Sequence, residues 1–222
     1  MTTIARLLVL SALVTTSLAA TAAPARYALD PVHTRVLFAV EHAGFSKALG
    51  TVSGSSGTLI FDPDDWAAAR LDVTVPLHRA DLGDAKWNEA TLARNLLDAK
   101  RFPDAHFVST RVAVSGENQA KVSGNLTLHG VTRPVTLDVT LNALKRHPLP
   151  LFRRTAGFSA TATLSRAEFG IDAWKSMIGD AVELRIEAEA VREGRAEDDA
   201  PQPQPQSVPA APDPATSPES GA

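Results

Sequence analysis

Strict alternation of apolar and polar residues constrains this 222-residue chain more than any other feature. In 32–42 the even positions are Val32, Thr34, Val36, Phe38, Val40 and His42, and the odd ones include His33, Arg35 and Glu41. Leu71, Val73, Val75 and Leu77 alternate with Asp72, Thr74 and Pro76. Val122, Gly124, Leu126 and Leu128 alternate with Lys121, Ser123, Asn125 and Thr127. The same holds for Val135, Leu137, Val139 and Leu141, and for Val182, Leu184, Ile186, Ala188 and Ala190. Successive strand side chains point to opposite faces, so each segment is a strand with one buried face. Strands near 50–61, 106–114 and 156–165 extend the set, and Tyr27 suits a short leading strand. Gly54 and Gly57 mark bulges or tight bends. Ser115-Gly116-Glu117-Asn118 and His129-Gly130 read as hairpin turns. Eight or nine such strands imply an all-β antiparallel barrel or sandwich, and closure removes exposed sheet edges.

Two segments break the pattern. Residues 84–98 carry a helical stripe of Ala85, Trp87, Ala90, Leu92, Ala93, Leu96 and Leu97, with Asp84 as N-cap and Pro103 beyond its end. A short helical turn is expected near 173–178, where Trp174, Met177 and Ile178 are apolar outside any strand. Both would cover a barrel end, as a gate or as a plug of core residues.

Three regions follow: a secretory signal over 1–22, a barrel domain over 23–193 and a disordered tail over 194–222. Arg6 opens the signal, Leu7 to Leu18 is its apolar run, and Ala20-Thr21-Ala22 fits a cleavage site. The run is about 12 residues, short of the roughly 20 that a bilayer span needs. An N-terminal membrane anchor is the alternative. Residues 196–222 hold seven of the 15 prolines and no Lys, Arg, Phe, Trp, Tyr, Ile or Leu. Such a tail buries too little apolar surface to offset its ordering entropy. Glu197, Asp198, Asp199, Asp213 and Glu219 lie in it, so the chain's net charge of −3 belongs to the tail and the barrel is near neutral. No basic footprint points to nucleic acid. With no cysteine, disulfides and thiolate metal sites are excluded.

Little in the sequence argues for catalysis. None of the six histidines forms a metal-ligand pair. There is no nucleophile elbow and no phosphate loop. His42 is the exception worth following. It shares the inward phase of 32–40 yet is polar, so it would meet a ligand headgroup or cap a strand end. Lys145, Arg146, Arg153 and Arg154, with Lys100 and Arg101, could form a basic rim for a phosphate or anionic headgroups, or simply solvated loops. The inward faces of later strands are short on bulk at Gly124, Ala143, Ala160, Ala162, Ala188 and Ala190. An eight-stranded barrel is filled by side chains or holds one small ligand. Small inward residues therefore imply either a cavity with an apolar guest or a taper where strands pack closely.

Several segments resemble the YceI-like family. They are Tyr27-Ala28-Leu29-Asp30-Pro31-Val32-His33-Thr34 with Phe38 and His42-Ala43-Gly44-Phe45, then Gly50, Gly57 and Ile60-Phe61-Asp62. Leu97-Asp98, Phe102-Pro103 and Phe107-Val108-Ser109 follow, then the run from Gly124 through Leu128-His129-Gly130-Val131 to Val135. Gly157-Phe158 and Ser165-Arg166-Ala167-Glu168-Phe169-Gly170-Ile171 complete the series. The family often carries an Asp-x-His-Leu-like segment where Asn88-Glu89-Ala90-Thr91-Leu92 stands here, and the Pro-Gln tail is outside its pattern.

The resemblance implies an eight-stranded, lipocalin-like antiparallel barrel with a long apolar pocket. It also implies a periplasmic location, a bound isoprenoid lipid or quinone with no covalent cofactor, and a link to stress. No catalytic residue comes with it, and the histidine spacing leaves no metal site expected. The expected ligand-binding residues are Val36, Phe38, Val40, His42, Leu126, Val139, Phe158, Ala160, Ala162, Ile186 and Ala188, with Trp174 and Met177 at the entrance. Expected partners are the isoprenoid lipid (a quinone or polyprenyl phosphate) and transiently the inner membrane or a quinone-using membrane protein. A homodimer is left open. A scavenger of fatty amides or amphiphilic antibiotics would use the same barrel. An enzyme using His42 on an apolar substrate is the third reading.

Overall fold

The computed structural model describes residues 24–148 and 152–194. The expected signal and nearly all of the expected tail lie outside them. Eleven strands form one sheet: β1 (Ala25–Leu29), β2 (Arg35–His42), β3 (Ser46–Ser53), β4 (Ser56–Phe61), β5 (Arg70–Pro76), β6 (Ala80–Asp81), β7 (Asp104–Gly116), β8 (Gln119–Leu128), β9 (Val131–Arg146), β10 (Arg154–Ser165) and β11 (Ile178–Arg192). Every pairing is antiparallel.

The sheet closes into an eight-stranded barrel because three of its walls are interrupted strands. β1 pairs with β11 at Leu29↔Ala190, and β2 takes over at Arg35↔Glu187 and continues to His42↔Ile178. β4 and β3 line up beside β1 and β2 in the same way, and β5 and β6 beside β4 and β3. β7 to β11 complete the ring as a simple meander. Loops therefore gather at two ends. One end carries the start of β1, the end of β11, the facing ends of β9 and β10 and the 62–69 loop. The other carries the one α-helix among the described residues, the β2–β3 and β8–β9 turns and the 166–177 loop.

The break between β1 and β2 is written in Asp30-Pro31. Asp30 Oδ1 accepts the N–H groups of Val32 (2.8 Å) and His33 (3.3 Å), which turns the chain out of the strand. Val32 is consequently 67% exposed and not inward as the alternation suggested; Thr34 is buried. His33 Nδ1 lies 2.7 Å from Asp30 Oδ2. Burial pushes the Asp30 pKa up, but the His33 side-chain bond and the Val32 and His33 N–H groups outweigh it and hold it below 3.8. The Asp30 bond, then the charges of Asp30 and Glu189, raise His33 above its ordinary 6.5.

The signs of the two shifts bracket a pH window. Asp30's contribution to stability is present above 3.8 and is lost as pH falls through its lowered value. His33's contribution is complete below 6.5 and is lost as pH rises through its raised value. His33→Gln is therefore expected to lower Tm most between those limits and least at alkaline pH, where only the neutral-imidazole bond is left to lose. A Tm difference that does not change with pH would contradict this pairing.

Turn chemistry follows the sequence elsewhere. His129 (φ 53°) and Gly130 (φ 75°) are both left-handed, as a two-residue hairpin loop matching the sheet twist requires. The helix is shorter than the expected 84–98. Here α1 spans Ala85–Leu92, with Asp84 Oδ1 accepting the N–H groups of Lys86 and Trp87. Ala93 (φ −68°, ψ 163°) leaves helical geometry, and hydrogen-bonded turns carry the chain through 93–102. These turns aim Leu96 and Leu97 into the barrel, which is why the apolar stripe outlasted the helix. Near 173–178 there is one hydrogen-bonded turn, in which the Trp174 carbonyl accepts the N–H groups of Met177 and Ile178 (both 2.8 Å).

Candidate functional site: an apolar bore through the barrel

Many inward side chains are not fully buried. Val36, Phe38, Val40, Leu126, Val139, Phe158, Ile186 and Ala188 keep intermediate exposure although they point inward. They border a cavity of about 500 Å³ that runs from one end of the barrel to the other. That volume lies within the range of sites for small-molecule ligands. The wall is almost wholly aliphatic and aromatic. It therefore offers apolar contact along its length and few hydrogen bonds.

Two features keep the bore open. Phe38 faces Gly50 across β2–β3, and a Cβ on Gly50 would sit 2.2 Å from Phe38 Cζ. The ring thus lies over a bare stretch of backbone. Gly124 takes the Phe107 ring in the same way, at 2.4 Å. The second feature is the short side chains of Ala48, Ala160 and Ala188, which line the bore without filling it.

One end is closed. Phe61, Ala69 and Ala120 are buried there, and Phe61 meets Trp66 and Phe158 edge to face at 5.4 and 5.9 Å. The helix end is open. No residue of α1 is buried, and its Trp87 borders the cavity while 42% exposed. His42, in register with Ile178, packs against Trp87 with ring centroids 5.3 Å apart and the ring planes tilted by 42°. The mouth therefore lies between His42, Trp87 and the 166–177 loop.

Arg166 fixes that loop. Its buried guanidinium donates from Nε to the Gly179 carbonyl, from Nη1 to Ile171 and from Nη2 to Ile178, each at 2.8 Å. All three acceptors are neutral, so the loop is tied back by a cation that also borders the cavity.

Of the expected ligand-binding residues, Val36, Phe38, Val40, His42, Leu126, Val139, Phe158, Ala160, Ile186 and Ala188 line the cavity. Three do not. Ala162 keeps the inward phase opposite Leu184, but its methyl falls short of the bore. Trp174 and Met177 are 59% and 46% exposed and stand outside the lining, because the turn that carries them aims both side chains at solvent. Sequence reasoning passed over Trp87, Leu96, Leu97 and Arg166 as lining residues. The helical stripe pointed to the first three; nothing local pointed to Arg166.

The suspected basic rim divides between the ends. Lys145, Arg146, Arg153 and Arg154 belong to the closed end, and Lys100 and Arg101 to the helix end. Asp30, His33 and Glu189 bring three donor atoms within 4.8 Å on the outer wall. They pair with one another, away from the bore.

A family model described as a YceI-like domain matches residues 27–190. A UPF0312 protein of Pseudomonas savastanoi pv. phaseolicola is 36% identical over 139 residues, covering 63% of this chain and 71% of that one. The crystal structure of Burkholderia cenocepacia BcnA superposes with a TM-score of 0.65 at 25% identity, covering 72% of this chain and 98% of that one. A polyisoprenoid binding domain from Saccharophagus degradans, implicated in plant cell wall breakdown, superposes with a TM-score of 0.58 at 16% identity, covering 77% and 99%. That likeness is one of fold.

Proposed function

The chain belongs to the YceI-like family, and from that premise we propose that it is a binding protein for an isoprenoid lipid, an isoprenoid quinone or polyprenyl phosphate. The observation that carries this reading is the bore itself, about 500 Å³ of space walled by apolar side chains and open at one end. Burying a hydrocarbon chain there contributes about 25 cal/mol per Å² of apolar surface. Branched isoprene units suit an aliphatic wall with scattered aromatic rings. The polyisoprenoid-binding description of the Saccharophagus degradans domain, which shares the fold, supports the same class of ligand. We read binding and not catalysis, since the polar groups at the mouth serve structure. His42 packs on Trp87, and Arg166 holds the loop.

The proposal places the mature protein in the periplasm, on the strength of the signal-like segment 1–22, and makes it a carrier between membrane sites. A stress-linked role is part of the same proposal and rests on the family resemblance.

Binding is testable through Trp66 and Trp87, which line the bore and would be quenched by a quinone. A long-chain isoprenoid quinone is expected to quench their fluorescence saturably, and the same quinone ring without its chain is expected to fail. Fatty amides should not displace the quinone at equal concentration. Stoichiometric displacement by a fatty amide would favour the scavenger reading, and no saturable quenching would reject the quinone as ligand.

A further inference from the structure

We propose that the open end of the barrel docks on a phospholipid bilayer, with Phe45, Trp174 and Met177 entering the headgroup region. This inference rests on the lipid-binding reading above. Phe45 is 92% exposed on the β2–β3 turn, and Trp174 and Met177 stand out from the 172–178 turn. The two turns are joined. The Ala43 N–H donates to the Met177 carbonyl at 2.6 Å, and the Phe45 N–H to the His42 carbonyl at 3.1 Å. His42 in turn packs at a tilt against half-exposed Trp87. Four large apolar side chains from three elements thus form one rim, continuous with the cavity mouth. Other exposed apolar residues, such as Leu49, Val114 and Phe152, are dispersed over the wall and the closed end. Scattered exposure is ordinary, whereas a cluster marks an interaction surface.

The identity of the rim residues selects a bilayer as the partner. Trp carries an apolar ring with one polar N–H and settles at the boundary between water and hydrocarbon. Trp174 sits at φ 57°, a left-handed conformation unfavourable for a bulky residue. Lysine lies beside each aromatic: Lys47 near Phe45, Lys86 before Trp87 and Lys175 after Trp174. Lys47 and Lys175 are paired with Glu183 and Asp172, and Glu41 and Glu89 offset further cations. Adhesion at a rim so balanced comes from apolar insertion and depends little on anionic lipid. A cargo that dissolves poorly in water would pass between bilayer and bore without crossing solvent.

The test uses phosphatidylcholine vesicles carrying an isoprenoid quinone, with and without phosphatidylglycerol. The rate at which the protein extracts the quinone is compared with its affinity for quinone dispersed in detergent. The variant Phe45→Ser/Trp174→Ser/Met177→Ser is expected to extract roughly tenfold more slowly or worse, with its affinity in detergent unchanged. None of the three residues lines the bore. Trp174→Ser alone should show the same direction if the triple variant folds poorly. Lipids brominated along the acyl chain should quench wild-type fluorescence more than that of Trp174→Phe. Native extraction rates in the variants would overturn the docking inference and leave lipid binding standing. So would a stable dimer that buries the rim in sedimentation experiments. Failure of the wild type to bind either dispersed quinone or dispersed polyprenyl phosphate would overturn both.

Discussion

Ala160→Trp is expected to abolish binding of a long-chain lipid while leaving the barrel folded. Ala160 lies on β10 between Val139 of β9 and Ile186 of β11, and all three line the bore. An indole there projects into the space a chain would occupy. Displacing about 100 Å² of apolar contact forfeits about 2.5 kcal/mol, roughly sixtyfold in Kd. Overpacking a dense core costs about 1–3 kcal/mol, but here a cavity of about 500 Å³ receives the ring. Circular dichroism and Tm should stay near native while calorimetric titration with quinone loses its signal. Ala188→Trp, on the adjoining strand, should behave alike. Native affinity in both variants would mean that the bore is not the binding site.

Gly57→Ala is expected to produce the largest loss of stability of any single methyl added to this barrel. A Cβ at Gly57 would lie 2.2 Å from the Asp72 carbonyl oxygen and 2.9 Å from Val73 Cα. Both obstacles are backbone of β5, paired with β4 at Gly57↔Val73, so no rotamer relieves the clash. The strands must part, where β4 helps to close the barrel. A cost of about 3 kcal/mol or more is a large share of a domain's net stability and lowers Tm by roughly 10 °C at this size. Gly157→Ala is the control, because a Cβ there meets nothing within 4 Å. Equal Tm values for the two variants would contradict the close approach of β4 and β5.

The wall of the barrel was legible because a half-buried strand must alternate. Val36, Phe38 and Val40 were placed correctly by phase alone, and so was His42 at the strand's end. Phase failed at Val32, where the Asp30 side chain captures two N–H groups and turns the backbone before the strand begins. It also failed to separate Ala162 from Ala160, since both point inward and only neighbouring bulk decides which reaches the bore. Trp174 and Met177 stand at the rim of the mouth but outside the lining for a different reason. An apolar residue outside a strand has no phase, so its hydrophobicity fixes no direction. Arg166 was beyond local reading because its three acceptors lie on Ile171, Ile178 and Gly179, brought together only when the loop closes. The bore's volume depends on aromatic rings laid over Gly50 and Gly124 across strand pairs, which register and not composition determines.

The proposed function makes one chemical claim, that an isoprenoid chain fills this barrel. Solvent extraction of the protein purified from its native cells, followed by mass spectrometry, tests that claim most directly. The expected result is an isoprenoid quinone or polyprenyl lipid in near-stoichiometric amount, absent from Ala160→Trp purified in parallel. Recovery of no isoprenoid from the wild type, or of the same amount from Ala160→Trp, would contradict it.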